Sequence, residues 1–150
     1  MKKYRNIVFL ALLVFALLLG VGWLCEHLRT LNTIKASVGE WTSKNFDTRD
    51  ITRVNIRVDA GHVIVHEWGR AHPTESDWGE ATASASGGVL SVIWKQGFAT
   101  KTQTLRPLSD GSLQLTTHCH FTDNSGRPDY DTTNTFAKGL VHDWSDLPSK

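Results

Sequence analysis

The chain has 150 residues, 21% of them charged, with 16 lysines and arginines against 15 aspartates and glutamates and a formal net charge of +1. So even a balance, with no Lys and Arg cluster to track a phosphate backbone, excludes nucleic acid as an expected partner. Two cysteines cannot make a disulfide framework, and the length leaves room for one domain beyond a targeting segment.

Residues 7–24 (IVFLALLVFALLLGVGWL) form an uninterrupted apolar run directly after a basic start containing Lys2, Lys3 and Arg5. As a helix, this run covers about 27 Å, close to the hydrocarbon thickness of a bilayer. The cations predict a cytoplasmic N-terminus, so residues 1–24 are expected to form a single-pass anchor with everything after Leu24 extracytoplasmic, periplasmic or extracellular. A cleavable signal peptide is the alternative, with Gly20, Val21 and Gly22 as its cleavage region, although the bulky Trp23 suits that poorly. Cys25 follows Leu24 rather than the small residue that precedes a lipidated cysteine. Gly20 and Gly22 lack the four-residue spacing of the common helix-dimer motif, so no tight transmembrane dimer is expected.

Between residues 25 and 38 the apolar positions Leu28 and Leu31 continue from Leu24 at helical spacing, with Glu26, Arg29 and Lys35 among them. This pattern predicts a short helical stalk that extends the anchor into water. Trp23 stands where an interfacial aromatic anchor belongs.

Residues 39–150 read as one β domain. Without Lys2, Lys3, Arg5, Arg29, Lys35 and Glu26 the exported part keeps 11 cations and 14 anions, a net charge of about −3. Alternating runs rich in Val, Ile, Thr and Trp predict a short strand around Glu40, Trp41 and Thr42, then strands at 51–59, 62–68, 79–86, 89–96, 98–105, 112–121 and 130–137. Tight links such as Ala60-Gly61 and Gly87-Gly88 make successive strands antiparallel neighbours. The expected fold is all-β, an up-and-down antiparallel meander of about eight strands that closes, or nearly closes, into a small barrel. Alternation points Val54, Ile56 and Val58 inward from one strand and Leu113, Leu115, Cys119 and Phe121 from another, leaving Gln114, Thr116, His118 and His120 outside. Cys119 is then a small buried hydrophobe.

Gly39-Glu40-Trp41 ahead of such a meander resembles the opening of avidin-like and lipocalin-like (calycin) barrels, in which an early tryptophan plugs one end. A second resemblance rests on Ile51-Thr52-Arg53, on VHEWGRAHPTESDWGEA (65–81) and on HFTDNSGRPDY (120–130). These segments resemble the markers of a family of small bacterial β domains with a W-G-x-x-H-P-T-x-x-D-W-G loop. The resemblance implies a fold and a shared surface and carries no established reaction. Where many such relatives have cysteines flanking the His-Pro-Thr, this chain has Ala71 and Ser76, so a loop disulfide is not available.

The loop from 69 to 79 holds His72, Pro73, Thr74 and Asp77 between Trp68 and Trp78. Pro73 holds His72 extended, and Thr74 and Asp77 can bond nearby backbone, so an ordered loop is expected. It reads either as a structural corner whose indoles cap the core or as an aromatic-lined mouth for sugars or other amphipathic ligands. In the second loop Arg127 is expected to pair with Asp123, Asp129 or Asp77, or to hold a ligand carboxylate or phosphate. Candidate binding residues are therefore Trp68, His72, Thr74, Asp77, Trp78, Asp123, Arg127 and Tyr130. Whether the space between Trp41, Trp68, Trp78 and Trp94 is packed or open decides between the readings.

Seven histidines raise metal chemistry, for which His118 and His120, two apart on one strand face, are the weak candidates. Their face lies opposite the core and no third ligand falls at a defined offset, so no metal or cofactor is expected. No Ser, His and Asp set stands out as a triad, and catalysis is not expected. The expected function is a membrane-anchored extracytoplasmic module that binds a small molecule or an envelope protein. The alternatives are a structural accessory of the cell envelope and a metal-dependent hydrolase using the histidines.

Overall fold

The structure, a computed structural model, describes residues 2–71 and 75–139. One long helix, α1 (Lys2–Ser37), precedes eight strands: β1 (Gly39–Ser43), β2 (Ile51–Asp59), β3 (His62–Gly69), β4 (Ser76–Ser86), β5 (Val89–Gln96), β6 (Ala99–Pro107), β7 (Leu113–Phe121) and β8 (Tyr130–Lys138). Each strand pairs antiparallel with the next, and β8 returns to β1 through Trp41 opposite Lys138, Thr42 opposite Ala137 and Ser43 opposite Phe136. The sheet is a closed barrel. Closure removes the unpaired edges that an open sheet exposes.

Local sequence explains the tight links. Ala60 and Gly61 both have positive φ, 47° and 82°, as do Gly87 and Gly88 at 60° and 83°. Two consecutive left-handed residues make a two-residue hairpin turn whose twist matches that of the flanking strands, and glycine enters that region freely.

Inside the barrel, Val54, Ile56, Val65, Leu90, Val92, Leu105, Leu113, Leu115 and Phe136 are fully buried and form the core with Trp41 and Trp94. Leu113, Leu115 and Cys119 point inward as the alternation requires, while Phe121 is only half buried. Val58 departs from the expected pattern: it is 52% exposed. β1 begins at Gly39, opposite Ile56, so β2 runs past its neighbour and Val58 has no β1 side chain beside it. β4 also starts earlier than expected, at Ser76 rather than Gly79, because Gly69 pairs with Ser76 and Trp68 with Asp77.

The meander sorts its connections into two ends. α1, the turns at 60–61 and 87–88 and the segment 108–112 lie at the base; the links 44–50, 97–98 and 122–129 and the exit from β3 lie at the opposite end. α1 is long and apolar enough over Leu12–Ser37 to cross a membrane. Its last turns are not a free stalk, however. Ile34 packs on the core, Thr33 and Ser37 are buried, and the Trp41 indole N–H donates to the Ser37 carbonyl at 2.7 Å. Lower on the helix, Glu26 Oε1 accepts the Gly87 backbone N–H at 3.0 Å, so the β4–β5 turn is fastened only two residues beyond Leu24.

Replacing Trp41 by Phe keeps most of the packing but strips the donor from a buried helix carbonyl. The expected cost is about 1–2 kcal/mol in chemical denaturation of the full chain, with the far-ultraviolet spectrum unchanged. No loss of stability would show that the Trp41–Ser37 hydrogen bond contributes nothing to holding the helix on the barrel.

Candidate functional site

An open cavity of about 920 Å³ occupies the end of the barrel opposite the helix. Its walls include Trp78, Phe98 and Tyr130, and its polar lining includes Asp50, Asp77, Gln96, Lys101, Thr132 and Asn134, with Arg49 and Arg70 also on it.

Trp78 enters this cavity through an irregularity in pairing. Glu67 sits opposite Gly79 and Trp68 opposite Asp77, so Trp78 is the extra residue of a bulge, followed by Gly79 at φ 79°. An added residue changes the face a side chain reaches. Trp78 turns inward, meets Trp94 edge-on at 6.2 Å between ring centroids, and lies so close to Gly69 that a Cβ there would come within 2.7 Å of its Nε1.

Trp68 goes the other way. It stacks on the His66 ring at 3.9 Å and under the Arg53 guanidinium at 4.3 Å, on the outer surface. The expectation that both indoles line one mouth is corrected: β3 keeps strict alternation, and with Val65 and Glu67 inside, Trp68 must face out. Arg53 in turn holds Glu75, its Nε 2.8 Å from Oε2. Among the four tryptophans, Trp78 and Trp94 are in contact and Trp41 is buried, so the open space lies beside Trp78 and not between all four.

Beneath the cavity the interior is polar. Trp94 Nε1 donates to Gln103 Oε1 at 2.5 Å, and Gln103 Nε2 donates to Glu67 Oε2 at 3.0 Å and to Thr117 Oγ1 at 3.2 Å. Glu67 is fully buried and its Oε1 has no hydrogen-bond partner. Burial, reinforced by the negative Asp50, pushes its carboxyl up to about 8 against the opposing hydrogen bond from Gln103. Lys101, also buried, has its Nζ 3.8 Å from the Trp78 ring centroid; desolvation draws it below the ordinary lysine value while Asp50 opposes that. Asp50 is itself fixed, its Oδ2 accepting from Thr132 Oγ1 at 2.7 Å and Asn134 Nδ2 at 2.9 Å.

The remaining predicted residues divide. Asp77 lines the rim, where the Gly79 N–H and His66 Nε2, 2.7 and 2.6 Å from its Oδ1, hold the carboxyl below its ordinary value. Tyr130 lines the cavity, and partial burial together with the Cys119 thiol pushes its phenol up to about 12. Asp123 and Arg127 pair with each other at 2.5 Å, as one of the expected pairings has it, and the guanidinium lies 3.9 Å from the Phe121 ring centroid. Their loop stands next to the cavity without lining it. His72 and Thr74 lie outside the described residues. His118 and His120 are exposed and each takes a carboxylate, Asp131 and Asp129 respectively, at 2.8 Å. Among the described residues no group of three or more His, Cys, Asp and Glu side chains is placed to hold a metal ion.

Sequence reasoning missed Asp50, Glu67, Lys101 and Gln103. The signal for three of them was present in the phase of the strands: Lys101 and Gln103 alternate with Ala99 and Leu105, and Glu67 with Val63 and Val65, so each stands where an inward side chain must be. No protein-family model, curated protein or solved structure matches the chain.

The raised Glu67 carboxyl makes stability depend on pH. The folded protein holds this proton more tightly than the unfolded chain, so folding loses stability as pH climbs from about 4.5 and the loss levels off above about 8. The melting temperature of Glu67→Gln relative to the parent is therefore expected to rise across that interval and be flat on either side. A difference independent of pH would mean that Glu67 titrates as an ordinary carboxylate.

Proposed function

We propose that the protein is a membrane-anchored binding module whose barrel mouth takes a small amphipathic ligand, without catalysing a reaction on it. The observation that carries this reading is the cavity of about 920 Å³, walled by Trp78, Phe98 and Tyr130 over a polar floor. A concave site with flat apolar walls and a few fixed polar groups suits a ligand with both kinds of surface. Phe98 and Tyr130 support it further, being 46% and 43% exposed at the rim, where aromatic side chains give up contact with water only when something covers them.

Placement follows the same reading. α1 anchors the chain, the basic residues Lys2, Lys3 and Arg5 keep the N-terminus cytoplasmic, and the barrel stands extracytoplasmically. Because the helix joins the base, the mouth opens at the end away from the bilayer, toward whatever the envelope or exterior supplies.

The test is a screen of the full chain in neutral detergent, by saturation-transfer NMR, against small sugars and aromatic acids, followed by titration of each hit with Phe98→Ala and Tyr130→Ala. Each variant is expected to weaken binding by on the order of 1 kcal/mol, about fivefold, while folding stability changes by less than about 0.5 kcal/mol. Unchanged binding with lowered stability would instead assign these residues to a structural corner, as in an envelope accessory protein.

A further inference from the structure

Resting on the reading of the mouth as a small-ligand site, we infer that it selects ligands carrying a carboxylate, seated on Lys101 Nζ with the ligand's apolar body against Trp78, Phe98 and Tyr130. The charged groups of the lining, Asp50 and Asp77 against Lys101, Arg49 and Arg70, decide this. Both of its carboxylates already have donors: Asp50 accepts from Thr132 and Asn134, and Asp77 from His66 and the Gly79 N–H. A cationic ligand would have to share carboxylates that already hold two donors each.

Lys101 is the opposite case. It comes from an inward position of β6, is buried, and reaches the cavity with its Nζ resting against the Trp78 ring. Among the described residues Nζ makes neither a hydrogen bond nor an ion pair. An ammonium has three donors to place, and a cation–π contact uses the charge without accepting any of the N–H bonds. Asp50 is the strongest negative influence on Lys101 but is held by Thr132 and Asn134 and makes no bond to Nζ, and burial drives Glu67 toward its protonated form. A ligand carboxylate supplies both the charge and the acceptors, in a site sheltered enough for a charge-assisted bond to count. Arg127, which the sequence offered for this role, is occupied by Asp123 and Ser125.

The ligand body follows from what surrounds Nζ. Trp78 lies directly against it, and Phe98 and Tyr130 form the outer walls, so a planar or aliphatic group a few ångströms from the carboxylate is flanked by rings.

The experiment compares naphthalene-2-carboxylate with its uncharged isostere 2-naphthamide, titrated into the full-length chain in neutral detergent. The acid is expected to bind about tenfold tighter than the amide. In Lys101→Met the two are expected to bind equally, and in Lys101→Gln the acid loses its advantage while the amide is held as in the parent. Equal affinity for acid and amide in the parent overturns the carboxylate assignment and leaves the mouth a ligand site. Retained preference in a folded Lys101→Met overturns the role of Lys101. Binding of neither compound, where the screen has found another ligand for the mouth, overturns the aromatic-carboxylate assignment, and no hit in either experiment removes the small-ligand reading as well. The parent comparison decides the charge preference even if a variant does not fold.

Discussion

Closing eight strands on themselves fixes the fate of every second side chain, because the inner face reaches water only at the ends of the barrel while the outer face is solvated. A residue in the inward phase must either pack against its neighbours or find polar partners inside. The base half of the barrel takes the first course, with Leu90, Leu105, Leu113 and Leu115 buried together. The mouth half takes the second, through Trp94, Gln103, Glu67 and Thr117 linked by hydrogen bonds. Buried polar groups are costly unless satisfied, and a linked set is stabilising only as a set. The interior is thus greasy where the helix joins and polar where the barrel opens, and the cavity lies over the polar part.

The same constraint explains which parts of the molecule are legible from the amino-acid order alone. Strand number, direction and turns follow from alternation and from glycine pairs such as Gly87-Gly88, whose positive φ is written in the residue type. Barrel closure follows from having enough short antiparallel strands and nothing to cover an edge. What alternation cannot show is where it breaks. The bulge between Glu67 and Trp68 on one side and Gly79 and Asp77 on the other sends Trp78 inward while Trp68 stays out, and only a one-residue pairing offset distinguishes them. Two tryptophans that look equivalent in the sequence therefore have unrelated roles.

Candidate residues were found where loops are rich in polar and aromatic types, and that gave Asp77, Trp78 and Tyr130. It also gave Asp123 and Arg127, which satisfy each other beside the cavity. The groups at the floor lie instead in the strands, at positions where a polar residue occupies an apolar phase. Lys101 and Gln103 stand out by that criterion, since a lysine between Ala99 and Leu105 in inward register has no reason to be there on packing grounds alone. Asp50 has no such signature, because its place depends on two hydrogen bonds to β8, more than 80 residues further along the chain.

Electrostatics in the mouth follow from depth. Glu67 lies deepest and is held neutral, because an isolated carboxylate with one oxygen unpartnered costs more to bury than to protonate. Asp50, nearer the opening, has two donors and is stabilised by them. Lys101 feels both, Asp50 more than Glu67, yet bonds to neither, with Trp78 against its ammonium. Protonation of Glu67 therefore does more than relieve its own burial. It weakens one negative influence on Lys101, whose ammonium then has Asp50 as its main negative neighbour and the Trp78 ring against it. The polar floor and the cation are in this sense one feature: the barrel tucks an acid under its mouth, where burial raises its carboxyl, beside a lysine whose ammonium rests against Trp78.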